Sequence, residues 1–249
     1  MLGGATERHY RRARPDIEKM PWGSLDPRSY PPALVVTARH FWTEAARQEQ
    51  RTLAACAGTV EALVSAQAPL DLIAMASRFL IDEVAHAELC GRVASVLGGG
   101  APLHWDAHKL YSNPPRERPA LERAAELVVS VFCVGEAFSL PMQQATAKAV
   151  TEPLLRAVLK RIAKDEAAHA RFGWLFFDWA GPLLSEDCYQ RLRDISRRAL
   201  GELTEMIRKM PSESNGTLGW LPPDAYRPFA RKALDEAVLA PLGAYGLIA

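Results

Sequence analysis

Two copies of one five-residue pattern carry the chemistry legible in this chain: Asp82-Glu83-Val84-Ala85-His86 and Asp165-Glu166-Ala167-Ala168-His169. A glutamate three positions before a histidine on a helix puts a carboxylate and an imidazole on one face about a turn apart, where both can reach the same ion. Each copy follows a further glutamate on an apolar helix face: Glu49 lies 34 residues before Glu83, and Glu136 lies 30 residues before Glu166. The six side chains Glu49, Glu83, His86, Glu136, Glu166 and His169 offer four carboxylates and two imidazoles, the donor set of a carboxylate-bridged pair of metal ions. Two divalent ions neutralise four negative charges, whereas the same carboxylates crowded in an apolar core without metal are strongly unfavourable or take up protons. The chain therefore reads as an internal duplication of a helix pair.

Six such residues need four helices to hold them, and the apolar periodicity supplies four. Residues 1–32 are rich in Pro, Arg and Gly, end in Tyr30-Pro31-Pro32, and are expected to form an irregular arm closing over the bundle. From Ala33 to about Ala66 the seam Trp42, Ala45, Glu49, Thr52, Cys56, Thr59, Leu63 steps by threes and fours, the spacing of one helix face turned toward a partner. Glu44 competes with Glu49 but shares a face with Gln48 and Arg51, and Glu61 leaves too short a return to Glu83. Pro69 opens the second helix, with the seam Leu72, Ala76, Phe79, Glu83, His86, Cys90, Val93, Leu97, and Gly98-Gly99-Gly100 stops it.

A polar, proline-rich stretch from Ala101 to Pro119, containing Trp105, His108 and Tyr111, has the length of a long crossover rather than a hairpin. The third helix presents Ala125, Val129, Phe132, Glu136 and Leu140. Gly135 and Pro141 flank its glutamate, and since proline removes an intrahelical hydrogen bond a kink or bulge is expected beside the site. Thr151 as N-cap and Pro153 in the first turn open the fourth, whose seam is Leu155, Leu159, Ile162, Glu166, His169, Gly173, Phe176, Ala180, ended by Gly181-Pro182. A fifth amphipathic helix from about Ser185 to Met210 and a proline-broken tail with a short helix, roughly Tyr226 to Leu239, complete the chain. The expected organisation is an arm over 1–32, one helical domain over 33–210, and an extension over 211–249 packed on the bundle.

The 249 residues carry a formal net charge of +1, which gives no global reason to expect a nucleic-acid or membrane partner. The basic run His9-Tyr10-Arg11-Arg12-Ala13-Arg14 is short, and such arms are commonly solvated or packed on a neighbour. Cys56, Cys90, Cys133 and Cys188 form no Cys-x-x-Cys pair, which argues against a disulfide scaffold, a zinc knuckle or a rubredoxin-type iron centre and for reduced thiols in the cytoplasm. Glu7, Arg8 and Arg11 precede any apolar run, so no signal peptide is expected, and Glu136 interrupts the most apolar stretch, Leu127 to Leu140, so no span is expected either.

The two motifs and their partner glutamates resemble the ferritin-like di-iron carboxylate superfamily, whose members carry Glu, Glu-x-x-His, Glu, Glu-x-x-His on four helices. The resemblance covers roughly Ala33 to Ala180, and the Asp-Glu-x-x-His form is that of ribonucleotide reductase small subunits, bacterial multicomponent monooxygenases, soluble acyl desaturases and arylamine N-oxygenase-like enzymes. It implies an all-α, ferritin-like four-helix bundle with a long crossover, elaborated by a fifth helix and irregular N- and C-terminal extensions. It also implies two iron ions, with Fe/Mn or Mn as variants, activation of dioxygen, and Glu83 and Glu166 as the residues bridging the metals. Ala85 and Ala168 stand where the monooxygenases and reductases often place Arg. Cys90 stands where the reductases place a radical tyrosine, and Ile162 where the N-oxygenases add a third histidine.

Asp82 and Asp165 directly precede the motif glutamates, where an acidic group can accept the free ring N–H of the opposite helix's histidine: Asp82 from His169, and Asp165 from His86. Ala45, Phe79, Cys90, Phe132, Leu140, Phe172 and Gly173 lie near the ligands on their seams and would line a mostly apolar substrate pocket. The function expected is a stand-alone di-iron oxidase or oxygenase that takes dioxygen and a small organic molecule, draws on an external electron donor, and has room to form a homodimer. A ferroxidase or peroxide-scavenging protein without organic substrate, and a metal-stabilised bundle without chemistry, are the competing classes. A cavity contiguous with the metals favours the first.

Overall fold

The computed structural model describes residues 3–102, 113–209 and 218–248. Among them are ten α-helices, two π-helical segments and no strand. The arm holds α1 (Gly4–Arg12) and α2 (Pro15–Glu18); the four long elements are α3 (Pro32–Ser65), α4 (Leu70–Val96), the composite Ala120–Ala149, and α7 (Pro153–Ala180). The composite runs from α5 (Ala120–Val128) through a π-helical stretch, Val129–Glu136, into α6 (Ala137–Ala149). The chain ends with α8 (Glu186–Lys209), α9 (Pro223–Ala233), a π-helical stretch Leu234–Leu239, and α10 (Ala240–Ala244).

Helix starts follow the backbone chemistry of proline. Pro32 and Pro153 occupy first-turn positions, where the missing N–H costs nothing, and Pro69 and Pro119 stand just before α4 and α5. The α4 terminus needs glycine: Gly98 and Gly99 sit at φ 112° and 100°, and their N–H groups close back on the carbonyls of Ser95 and Ala94. The expected N-cap, Thr151, is not the cap; Glu152 takes that place, its carboxylate accepting from the Leu155 N–H at 2.7 Å, a reach that the longer side chain has from one residue nearer the helix.

Short turns fold α3 back on α4 and α6 back on α7, while α4 packs on α7 and α3 on α5. The buried side chains form two apolar clusters. One joins Cys56 and Leu63 of α3, Phe79 of α4, Phe132 of the π stretch and Phe172 and Phe176 of α7; the other joins Trp42, Leu89, Cys90, Leu155 and Ile162. On α3, α4 and α7 the polar seam residues Glu49, Glu83, His86, Glu166 and His169 fall in sequence between members of the two clusters. The polar layer is thus walled by apolar packing above and below. By length and composition Ala120–Ala149 could cross a membrane, but 67% of its apolar window is buried inside the protein, where it forms one wall of this core.

The arm is more ordered than its composition predicts. Ile17 is fully buried, the Trp22 indole donates to the Ile17 carbonyl at 2.8 Å, and Arg14 pairs with Glu88 of α4. The Glu88 contact comes from a residue far away in sequence, which is why a local reading sees only an irregular segment. The tail helix likewise runs longer than Tyr226–Leu239, because α9 and the π stretch lean on α6 and α10 packs on the π stretch. Residues 218–221 reach back to α3: the Trp42 indole donates to the Leu218 carbonyl at 2.9 Å, and a Cβ on Gly219 (φ 120°) would stand 2.6 Å from the Trp42 ring. Trp105, His108 and Tyr111 of the expected crossover, and Met210, lie outside the described residues.

Candidate metal centre

The sequence-predicted donors meet in two overlapping groups: Glu49, Glu83, His86 and Glu166, and Glu83, Glu136, Glu166 and His169, with donor atoms inside each group within 4.8 Å of one another. Glu83 and Glu166 belong to both groups. The Glu166 carboxylate reaches both imidazoles at once, Oε1 lying 3.2 Å from His86 Nδ1 and Oε2 3.1 Å from His169 Nδ1, while Glu83 Oε1 stands 3.1 Å from His169 Nδ1. Glu49 Oε2 is 3.9 Å from His86 Nδ1. Glu44 points elsewhere and pairs with Arg47 and Gln48.

Several of these atoms are buried without a partner in hydrogen-bond geometry: both carboxylate oxygens of Glu83, Oε2 of Glu166 and Nδ1 of each histidine. The contacts among them, at 3.1 to 3.2 Å, bring opposite charges together without the alignment of a hydrogen bond. Orphaned buried polar atoms are costly unless something supplies the missing interaction. Oxygen and imidazole donors in this number suit first-row divalent metals, and the thiols do not compete, because burial holds Cys56 and Cys90 well above the usual thiol range and so neutral.

Proton affinities show the same crowding. Burial and the neighbouring carboxylates raise Glu49 and Glu136 far above the ordinary range. Burial also opposes the charged forms of His86 and Glu166, but ion pairing outweighs it. The Asp165 and Glu166 carboxylates lift His86 to about 10, and the two imidazoles hold Glu166 down. His169 is raised for the same reason by Asp82, Glu166 and Glu83.

Behind the histidines the two aspartates differ. Asp165 Oδ2 lies 3.2 Å from His86 Nε2, a hydrogen bond across α4 and α7, whereas Asp82 Oδ2 stands 3.7 Å from His169 Nε2, beyond hydrogen-bond reach. Each aspartate also meets an arginine one turn before it on its own helix, Arg161 beside Asp165 and Arg78 3.5 Å from Asp82. The sequence reading missed this pair, although the signal was present: both copies of the motif carry Arg four residues ahead of Asp.

The residues expected to line a pocket are mostly packed solid. Phe79, Phe132 and Phe172 form an aromatic triangle with ring centroids 4.8 to 5.6 Å apart, and the Phe79 ring lies 4.1 Å from that of His169. Gly173 has no free space: an added Cβ would stand 2.5 Å from Cys133 Sγ. Cys90 is buried in the apolar cluster that holds Trp42 and Leu155, Ala45 packs against that cluster, and Leu140 is half-buried on α6. A cavity of about 810 Å³ lies beside Glu136, between α3, residues 113–118, the π stretch and α8. None of the seven expected residues lines it.

Glu136 itself lines this cavity, with Ser130, Val131, Val134 and Gly135 of the π stretch, Thr52 and Ala55 of α3, and Ile195, Leu203 and Met206 of α8. The bulge expected beside the site lies on the N-terminal side of Glu136, as eight π-helical residues that include Gly135 and end at the glutamate. The wider π turn displaces the side chains that follow relative to an α-helix, and such segments frequently mark functional positions. No protein-family model, curated protein or solved structure matches the chain.

Proposed function

We propose that the chain is a ferritin-like, non-haem di-iron oxidase or oxygenase that uses dioxygen to oxidise a small organic molecule. One observation carries the choice of class: Glu136 belongs to the buried donor cluster and also faces the cavity, so a molecule seated there would lie against the metal-bearing layer. In this reading Glu83 and Glu166 would be shared by two metals, Glu49 and His86 would complete one position, and Glu136 and His169 would complete the other. Iron fits the donor set, and manganese in one or both positions is also compatible with oxygen-rich ligation.

When bound in reduced form, the iron pair supplies electrons for dioxygen activation. The chain does the rest. Asp165 accepts the His86 Nε2–H, which fixes the tautomer and leaves Nδ1 free to face the centre. Phe79, Phe132 and Phe172 exclude water from the His169 side. Val131, Val134, Leu203 and Met206 give the cavity an apolar wall, while Thr52, Ser130 and the charged side chains of Arg51, Arg118, Glu126, Arg198 and Glu202 offer polar contacts. Return to the reduced state requires an external electron donor.

The test is anaerobic iron loading followed by oxygen, with uptake and products followed on a panel of small aromatic, amine and alkene probes. Oxygen consumption coupled to a mass gain or desaturation in a probe supports the proposal. Oxygen uptake that only deposits ferric iron beyond the bound pair would assign the protein to the ferroxidases instead.

A further inference from the structure

We infer that the N-terminal arm clamps one of the two metal positions, making the pair inequivalent, with the position at His86 the tighter. The inference rests on the dimetal reading above and concerns what stands behind each imidazole. Behind His86 there is an unbroken chain of contacts to the arm. His86 Nε2 meets Asp165 Oδ2 at 3.2 Å, the Arg161 guanidinium pairs with Asp165, and Arg161 Nε donates to Asp16 Oδ2 of α2 at 3.0 Å.

The far end of that chain is itself fixed. The residue after Asp16, Ile17, is fully buried, and Arg14 pairs with Glu88, two residues beyond His86 on α4. The arm therefore grips α7 through Arg161 and α4 through Glu88. Behind His169 the corresponding groups are looser: Asp82 stands 3.7 Å from the ring, Arg78 stands 3.5 Å from Asp82, and the Arg78 side chain is 73% exposed against 20% for Arg161.

A donor already held in its binding orientation loses less freedom when a metal arrives, so the clamped imidazole belongs to the tighter position. The other position also has Glu136 on the cavity, where outside ligands can reach it. The duplication supplies the same Arg-x-x-x-Asp-Glu-x-x-His sequence twice, and among the described residues the arm pairs with the motif arginine of the second copy, Arg161, and not with Arg78. Arg161 and Asp16 are positioning residues: they act on the metal only through Asp165 and His86.

Anaerobic cobalt(II) titration of the full chain, read by visible d–d absorption and by metal content, tests the inference without reference to turnover. Wild-type protein should take up two equivalents in two steps, the first about 10- to 100-fold tighter. Arg161→Met should weaken the first step about 10-fold and draw the steps together, Arg161→Lys should restore part of the difference, and Arg78→Met should change either step less than about 2-fold. Asp16→Asn, at a half-exposed carboxylate on the arm, should shift the first step in the same direction by a smaller factor. It decides the matter if Arg161→Met fails to fold. Two equal steps in the wild type, or equal effects of Arg78→Met and Arg161→Met, would overturn the clamp. Uptake of fewer than two equivalents by the wild type would overturn the dimetal reading itself.

Discussion

Gly173 tests how tightly the packing sets the donor geometry. In Gly173→Ala the new Cβ would stand 2.5 Å from Cys133 Sγ, 3.1 Å from the Cys133 backbone nitrogen and 3.3 Å from Phe132 Cβ. An ordinary contact is about 3.5–4.0 Å, so the worst overlap is roughly 1 Å. Neither neighbour can yield cheaply, because Cys133 and Phe132 are fully buried and one of the clashing atoms is backbone. The relief must come from separating α7 and the π stretch by about 1 Å, an overpacking cost of about 1–3 kcal/mol. For a chain of this length that lowers Tm by roughly 2–12 °C. His169 lies one turn before Gly173 and Glu136 one turn after Cys133, so the same separation pulls one metal position apart. A displacement of this size should cost that position about 10- to 100-fold in affinity. Calorimetry and metal titration on the same preparation provide the readouts. Adding Cys133→Ala removes the closest clash and should recover part of both losses. Wild-type melting and full two-metal uptake by Gly173→Ala alone would refute the reasoning.

Three further outcomes follow from the site. Glu83→Ala or Glu166→Ala should abolish metal uptake at both positions, while Glu44→Ala, which removes only the partner of Arg47 and Gln48, should leave metal content unchanged. Asp165→Asn should weaken metal binding by about 10- to 100-fold, and Asp82→Asn by a smaller factor, since only the first breaks a hydrogen bond to a histidine. Metal uptake should release protons and tighten as pH rises, because metal-free His86 is protonated up to about 10 and Glu49 and Glu136 are held protonated. Stability follows with a definite sign. The raised histidine favours the metal-free fold fully below its ordinary 6.5 and loses that contribution as pH climbs toward about 10. Depressed Glu166 contributes throughout this window, so the Tm gain on adding metal should be larger at about pH 8 than at about pH 6. A gain that shrinks with pH would show that the cluster is not protonated as described.

Much of the site was legible because its residues break a strong pattern. Glu49, Glu83, His86, Glu136, Glu166 and His169 occupy seam positions otherwise filled by Leu, Phe, Val and Ile, and a charge at such a position is informative because burial there is costly. The four helices were legible for the same reason. The π stretch was not, since Val129–Glu136 is apolar on nearly every side and carries no single face from which a period could be read. The arm helices are too short to stand by propensity, and the arm is held by Glu88, Arg161 and Glu152, contacts that no local window contains. The cavity beside Glu136 was not legible, because it is made by α8 leaning on the π stretch, and seam spacing on the four long helices says nothing of a fifth. Phe79, Phe132 and Phe172 are the ordinary case of seam aromatics packing on one another.

The central claim is that this buried layer holds two metal ions per chain. Anaerobic ferrous titration of the metal-free protein, with iron counted per folded chain and each iron environment resolved by Mössbauer spectroscopy, measures it directly. The expected result is saturation at about two irons per chain in distinct oxygen- and nitrogen-ligated environments, lost together in Glu83→Ala and Glu166→Ala. Saturation at one iron, or no uptake by a folded preparation, would contradict it.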